Sequence, residues 1–177
     1  MALPFDLDEP LLRQSEVLEI VPDLTAGRLQ NWIARGVIET PPKEKHAKLY
    51  WSPVAVIGLH IMVELTNLSV KPTVAHDVAE QLLGHLDEFI DRIPRNMGDE
   101  GFEKFDLPME KRDVQRYRRF SVKPYSHDGD DLVTLREFGT NDMSAEWAAI
   151  VVCTDLIFAF GLNWILRIIH HRTGDAK

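Results

Sequence analysis

Apolar residues recur at helical spacing over most of the first half of the chain. Val54, Ile57, Ile61 and Leu65 fall three or four apart behind Ser52 and Pro53, a capping residue followed by the residue best tolerated at the first helical position. A second stripe, Val74, Val78, Leu82, Leu86, Phe89 and Ile93, follows Pro72 and predicts one helix of about six turns. Two shorter segments lie ahead of these. Ser15 opens SEVLEIV, which Pro22 ends; Asp23 and Leu24 turn the chain; Thr25 caps a second short helix, with Leu24 placed to staple onto Leu29.

At about 100° per residue this second short helix is two-faced. Leu29, Trp32 and Ile33 share one side with Ala26 at its edge, whereas Gly27, Arg28, Asn31, Ala34 and Arg35 occupy the other. Gly36 stands where a helix ends in a left-handed residue, and Val37 can then fold back on Trp32. The pattern next becomes extended. VIETPPKEKHAKLYW reads as two short strands around a Pro-Pro-Lys-Glu-Lys turn, a small hairpin that its prolines keep at an edge.

Pro94 to Gly101 carries prolines and glycines and no apolar periodicity, which marks a linker. Beyond it QRYRRFSVKPY and DLVTLREF are rich in β formers, and the Asp128-Gly129 pair between them signals a hairpin turn. AIVVC then reads as a buried strand, followed by a final helix ending at HHRTG. The fold class predicted is mainly α with a small β component (α+β). A winged helix-turn-helix unit would span 11–93, a linker 94–110, and an α+β segment for dimerisation or partner binding 111–177.

Composition permits this and little else. An apolar share of 45% over 177 residues is enough for a real core. The net charge of −8 opposes nucleic-acid binding only on average: between Thr25 and Tyr50 five cations face two carboxylates, leaving +3, and the remainder carries −11. Salt screens exposed charges beyond about 8 Å, so a local basic patch keeps its own field. Cys153 is the single cysteine, which excludes an intramolecular disulfide and a cysteine-based zinc site and suits a reducing cytoplasm. The acidic start MALPFDLDEP lacks the features of a signal peptide. Trp147 to Leu166 is long enough to span a bilayer, the alternative to a buried strand and helix, but Asp155 near its middle would cost about 2.5 to 3.5 kcal/mol on insertion scales. No membrane contact is expected.

The Leu29, Trp32 and Gly36-Val37 spacing, the LYW of the second extended piece, the Ser52-Pro53 helix start and the helices Val54 to Leu65 and Pro72 to Leu83 occur in the order of a known module. Over roughly residues 15–85 the chain resembles the winged helix-turn-helix of the mercury-resistance regulator (MerR) superfamily, particularly the divergent versions of phage-derived bacterial regulators. The resemblance implies a bacterial or prophage transcriptional regulator that binds double-stranded DNA as a homodimer, with RNA polymerase a further partner. In that family the second helix commonly carries an arginine followed by two aromatics, where this chain has Gln30-Asn31-Trp32; a long coiled-coil helix usually follows the fourth, where this chain breaks at Pro94.

The residues point the same way by themselves. A helix entering a major groove needs an outward side free of bulky apolar groups, with donors for base edges and cations for phosphates. Thr25 and Gly27 allow close approach at the helix start, Gln30 and Asn31 can pair with adenine edges, and Arg28 and Arg35 can reach guanine or phosphate. Lys43, Lys45, Lys48 and Tyr50 of the hairpin would hold the backbone. Two other readings stay open: an architectural role in phage excision or packaging, and a protein-interaction module that does not touch DNA.

The remaining candidates have structural explanations. Lys111 to Lys123 carries +5 with interleaved aromatics and suits a strand docked between acidic flanks, or a second nucleic-acid contact. His170 and His171 suit the negative end of a helix, and Asp128 to Asp131 lacks the ligand order of a calcium loop. There is no phosphate loop, no paired metal ligands and no Ser-His-Asp signature, so neither enzymatic activity nor a cofactor is expected.

Overall fold

A computed structural model of the protein describes residues 3, 5–40, 49–92, 120–127, 130–137, 150–152 and 154–174. The chain is mainly α with a small β component. In order, it forms β1 (Leu12–Arg13), α1 (Gln14–Ile20), α2 (Ala26–Ala34), β2 (Tyr50–Trp51), α3 (Pro53–Asn67), α4 (Pro72–Leu83), α5 (Leu86–Arg92), β3 (Phe120–His127), β4 (Asp130–Glu137), β5 (Ile150–Val152) and α6 (Thr154–Gly174).

The core forms around α3. Val56, Ile57, Ile61, Val63 and Leu65 are fully buried there, which exceeds what a single amphipathic stripe provides, because α4 and α6 cover different sides of the helix. Two glycines set how closely the helices approach. A Cβ on Gly58 would meet Leu83 Cδ1 of α4 at 3.1 Å, and one on Gly161 of α6 would meet Ile57 Cγ1 at 3.0 Å. Phe158, Leu162 and Ile165 of α6 enter the same core, and Phe158 meets Phe89 of α5 edge to face at 5.7 Å. The final helix, which the sequence assigned to the 111–177 segment, thus packs its inner face within the first unit. Arg172 holds its far end to α1: Nε donates to Glu16 Oε1 at 3.0 Å, Nη2 to Glu16 Oε2, and Nη1 to the Leu11 carbonyl at 2.8 Å.

Three predicted elements differ in detail. The first helix begins at Gln14 and not behind Ser15, because Glu16 folds back to accept the Arg13 backbone N–H at 2.6 Å and satisfies an otherwise free donor. The long helix predicted from Pro72 breaks at Gly84 and His85, where glycine's low helix propensity coincides with a tight turn in which the His85 N–H donates to the Leu82 carbonyl. The hairpin predicted between VIE and LYW is replaced by another pairing. Residues 37–40 form no strand; Tyr50 and Trp51 pair antiparallel with Arg13 and Leu12. That register sets Leu12 against Trp51, both buried, so it removes apolar surface from water that an edge hairpin would leave exposed.

In the second half β3 pairs antiparallel with β4 through a two-residue connection, and with β5, giving the order β4-β3-β5. β5 reaches only Phe120 to Val122, so Pro124 lies where β3 has a neighbour on one side alone and its missing N–H is tolerated. Residues 111–119 of the basic stretch lie outside the described residues. Among the described residues no helix is long and apolar enough to cross a membrane.

Candidate nucleic-acid interface

α2 is fixed at both ends by the residues its sequence supplies. Thr25 Oγ1 accepts the Arg28 backbone N–H at 3.1 Å, as a helix cap should. At the other end Gly36 adopts φ +67°, the Gly36 N–H donates to the Ile33 carbonyl at 3.0 Å, and the Val37 N–H donates to the Trp32 carbonyl at 2.9 Å. These two bonds satisfy the last carbonyls of the helix, and only glycine takes that backbone conformation without penalty. Leu29 and Trp32 are buried, and Ile33 is half-buried. One narrow stripe therefore anchors the helix and sets its rotation.

The opposite arc is open. Ala26, Gly27, Gln30, Asn31, Ala34 and Arg35 are all exposed, and no Cβ-sized obstacle lies within 4 Å of Gly27. Gln30 and Asn31 offer an amide donor and acceptor each, Arg35 a planar fork of donors, and the small residues between them leave the backbone approachable. Thr25 is exposed as well, but its hydroxyl is engaged as the cap.

Arg28 is placed differently from the sequence expectation. Its guanidinium turns back across the N-terminal turn: Nη1 donates to Asn67 Oδ1 at 3.0 Å and to the Asp23 carbonyl at 3.5 Å, and Nη2 donates to Thr66 Oγ1. It also lies over the Trp32 ring, 5.1 Å from the centroid. Thr66 in turn donates to the Met62 carbonyl at 2.6 Å, and Asn67 Nδ2 donates to Asp23 Oδ2 at 3.4 Å. Asp23 occupies the α1–α2 turn with φ +60°. The cation thus sits at the C-terminal turn of α3, where the helix dipole favours it, and joins the α1–α2 turn to α3. The sequence showed Arg28 on the polar side of a helical wheel, but its partners lie 38 and 39 positions away, and no local pattern names them.

Tyr50 is half-buried in β2 opposite Arg13. Lys43, Lys45 and Lys48 lie outside the described residues. Of the predicted set, then, α2 brings Gly27, Gln30, Asn31 and Arg35 together on one exposed face, Thr25 and Arg28 hold that helix in position, and Tyr50 belongs to a separate strand pair. Sequence reading missed a shallow groove behind α2, where Glu39, Trp51, His76 and Glu80 meet between α3 and α4. His76 and Glu80 stand one helical turn apart on α4 and could have been paired from spacing; Glu39 and Trp51 come from elsewhere in the chain. No protein-family model matches the sequence, and no curated protein matches it.

Proposed function

We propose that the chain binds double-stranded DNA through the outer face of α2, as a sequence-specific transcriptional regulator with a MerR-like winged helix-turn-helix. The observation that carries this reading is the exposed arc Gly27, Gln30, Asn31, Ala34 and Arg35 on a helix whose caps and buried stripe fix its orientation. A helix held by one side and presenting amides, a guanidinium and small residues on the other meets what a major groove demands. Gln30, Asn31 and Arg35 read base edges, Gly27 and Ala34 permit the approach, and Lys43, Lys45 and Lys48 hold phosphates. Arg28 acts indirectly, setting the angle of α2 against α3. Because one small module buries limited surface, specific affinity needs a second copy on a second half-site, about 10 base pairs away or a multiple of that.

The test is selection of the full chain against a random duplex library, followed by a salt titration on the enriched duplex. A two-half-site motif should emerge, and log affinity should fall with log salt by about 0.9 for every phosphate contact. Arg35→Ala and Asn31→Ala should abolish the enrichment without lowering the melting temperature. Failure to enrich any sequence, or enrichment that survives both substitutions, would overturn the proposal; a chain that binds a protein and ignores duplexes would be an interaction module instead.

A further inference from the structure

The groove between α3 and α4 has a volume of about 390 Å³, within the range of small-molecule sites, and its third side is formed by Ile38, Glu39 and Trp51. Its floor is apolar: Leu59 and Met62 from α3 meet Ala79 and Leu83 from α4. Gly58 allows the two helices to approach this closely.

Two observations give the groove a chemical preference. Trp51 lines it and is only 4% exposed, and its indole Nε1–H is buried with no acceptor among the described residues. Buried donors are nearly always paired, so an acceptor is what this wall lacks. The rim, meanwhile, is acidic. Glu39 and Glu80 are both exposed there, His76 is the sole basic side chain among the lining residues, and no lysine or arginine joins it. Such a mouth favours a cation and disfavours an anion.

We infer that the groove binds a small amphipathic ammonium compound: an apolar ring on the floor, a carbonyl oxygen accepting the Trp51 Nε1–H, and a protonated amine near Glu39 and Glu80. This goes beyond the proposed DNA reading and does not depend on it, since none of these residues lies on the outer face of α2. The exposed carboxylates select the sign of the charge more than they supply affinity.

Titration of the full chain, with its tryptophan indoles labelled with nitrogen-15, tests this without DNA. The probes are N-(2-aminoethyl)benzamide, N-ethylbenzamide and hippurate, which share a benzamide and differ in carrying a cation, no charge or an anion. The Trp51 indole signal, identified by its loss in Trp51→Phe, should move saturably with the ammonium probe. Affinity should fall about three- to tenfold to the neutral amide and further to hippurate, the scale expected for exposed charge pairs. In a chain carrying Glu39→Gln and Glu80→Gln, both at exposed positions, the three probes should converge while the indole still responds. No movement of the Trp51 signal at millimolar concentrations, or equal binding of all three by the unaltered chain, would overturn the inference.

Discussion

The two faces of α2 are built from the same nine residues and obey different rules. On the inner face Leu29 and Trp32 have no contact with water, and every substitution there is felt by α3 and the core behind it. On the outer face Gln30, Asn31, Ala34 and Arg35 touch solvent and could change without disturbing a single buried contact. The contrast separates what holds a helix from what the helix offers. Arg28 and Arg35 sharpen it: they are seven residues apart and nearly aligned on the helix, yet one is drawn into a network with Thr66 and Asn67 while the other remains exposed.

Substitutions should therefore sort by face. Trp32→Ala should be the most damaging, costing about 3 to 5 kcal/mol as large aromatic truncations in cores do; denaturant unfolding measures it, and a loss below about 1 kcal/mol would mean the inner face is not an anchor. Next comes acid. Burial holds the His60 imidazole below its ordinary value of about 6.5, and Nε2 lies 3.7 Å from the half-exposed Glu64 carboxylate. The unfolded chain thus binds this proton more readily than the folded one. Stability should be complete above about pH 6.5 and decline as pH falls through the lowered value, by at most about 1.4 kcal/mol per pH unit. Thermal melts across that range should show a slope that His60→Leu removes; an unchanged slope would assign it to other groups.

Smaller still are the ends of the helix. Thr25→Ala and Gly36→Ala should each cost about 1 kcal/mol, the first by freeing an N–H, the second by forcing a side chain into the left-handed region although space is available for it. Equal melting temperatures for these variants and the unaltered chain would contradict the capping geometry. Arg35→Ala should change stability least, by under about 0.5 kcal/mol, while lowering duplex affinity and flattening its salt dependence by about one phosphate contact. If it destabilised the fold as much as Trp32→Ala, the distinction between the faces would vanish.

What could be read from sequence followed the range of the interactions involved. Thr25, Ser52, Gly36 and the buried stripe of α2 were legible because a cap and a helical period are fixed by residues within four or five positions of one another. The break at Gly84 was a local event too, but six continuous turns of apolar spacing concealed it. The partner of β2 was not legible, since Leu12 and Tyr50-Trp51 are brought together only by the fold. The same holds for Arg28: its polar position on the helix was visible, and its attachment to the end of α3 was not. Among the candidate interface residues, sequence identified which helix faces outward and misjudged which cation is available on it.

The fork of Arg172 on Glu16 gives the first and last helices a shared fate. Glu16 also caps the start of α1, so loosening α6 would free a carboxylate on which that helix relies. Amide protons in these two segments should exchange with deuterium together, as one cooperative unit closed across more than 150 residues of intervening chain. A fragment cut after α5 would keep every residue of the helix pair at its front and still lose the clasp that keeps the first of them wound.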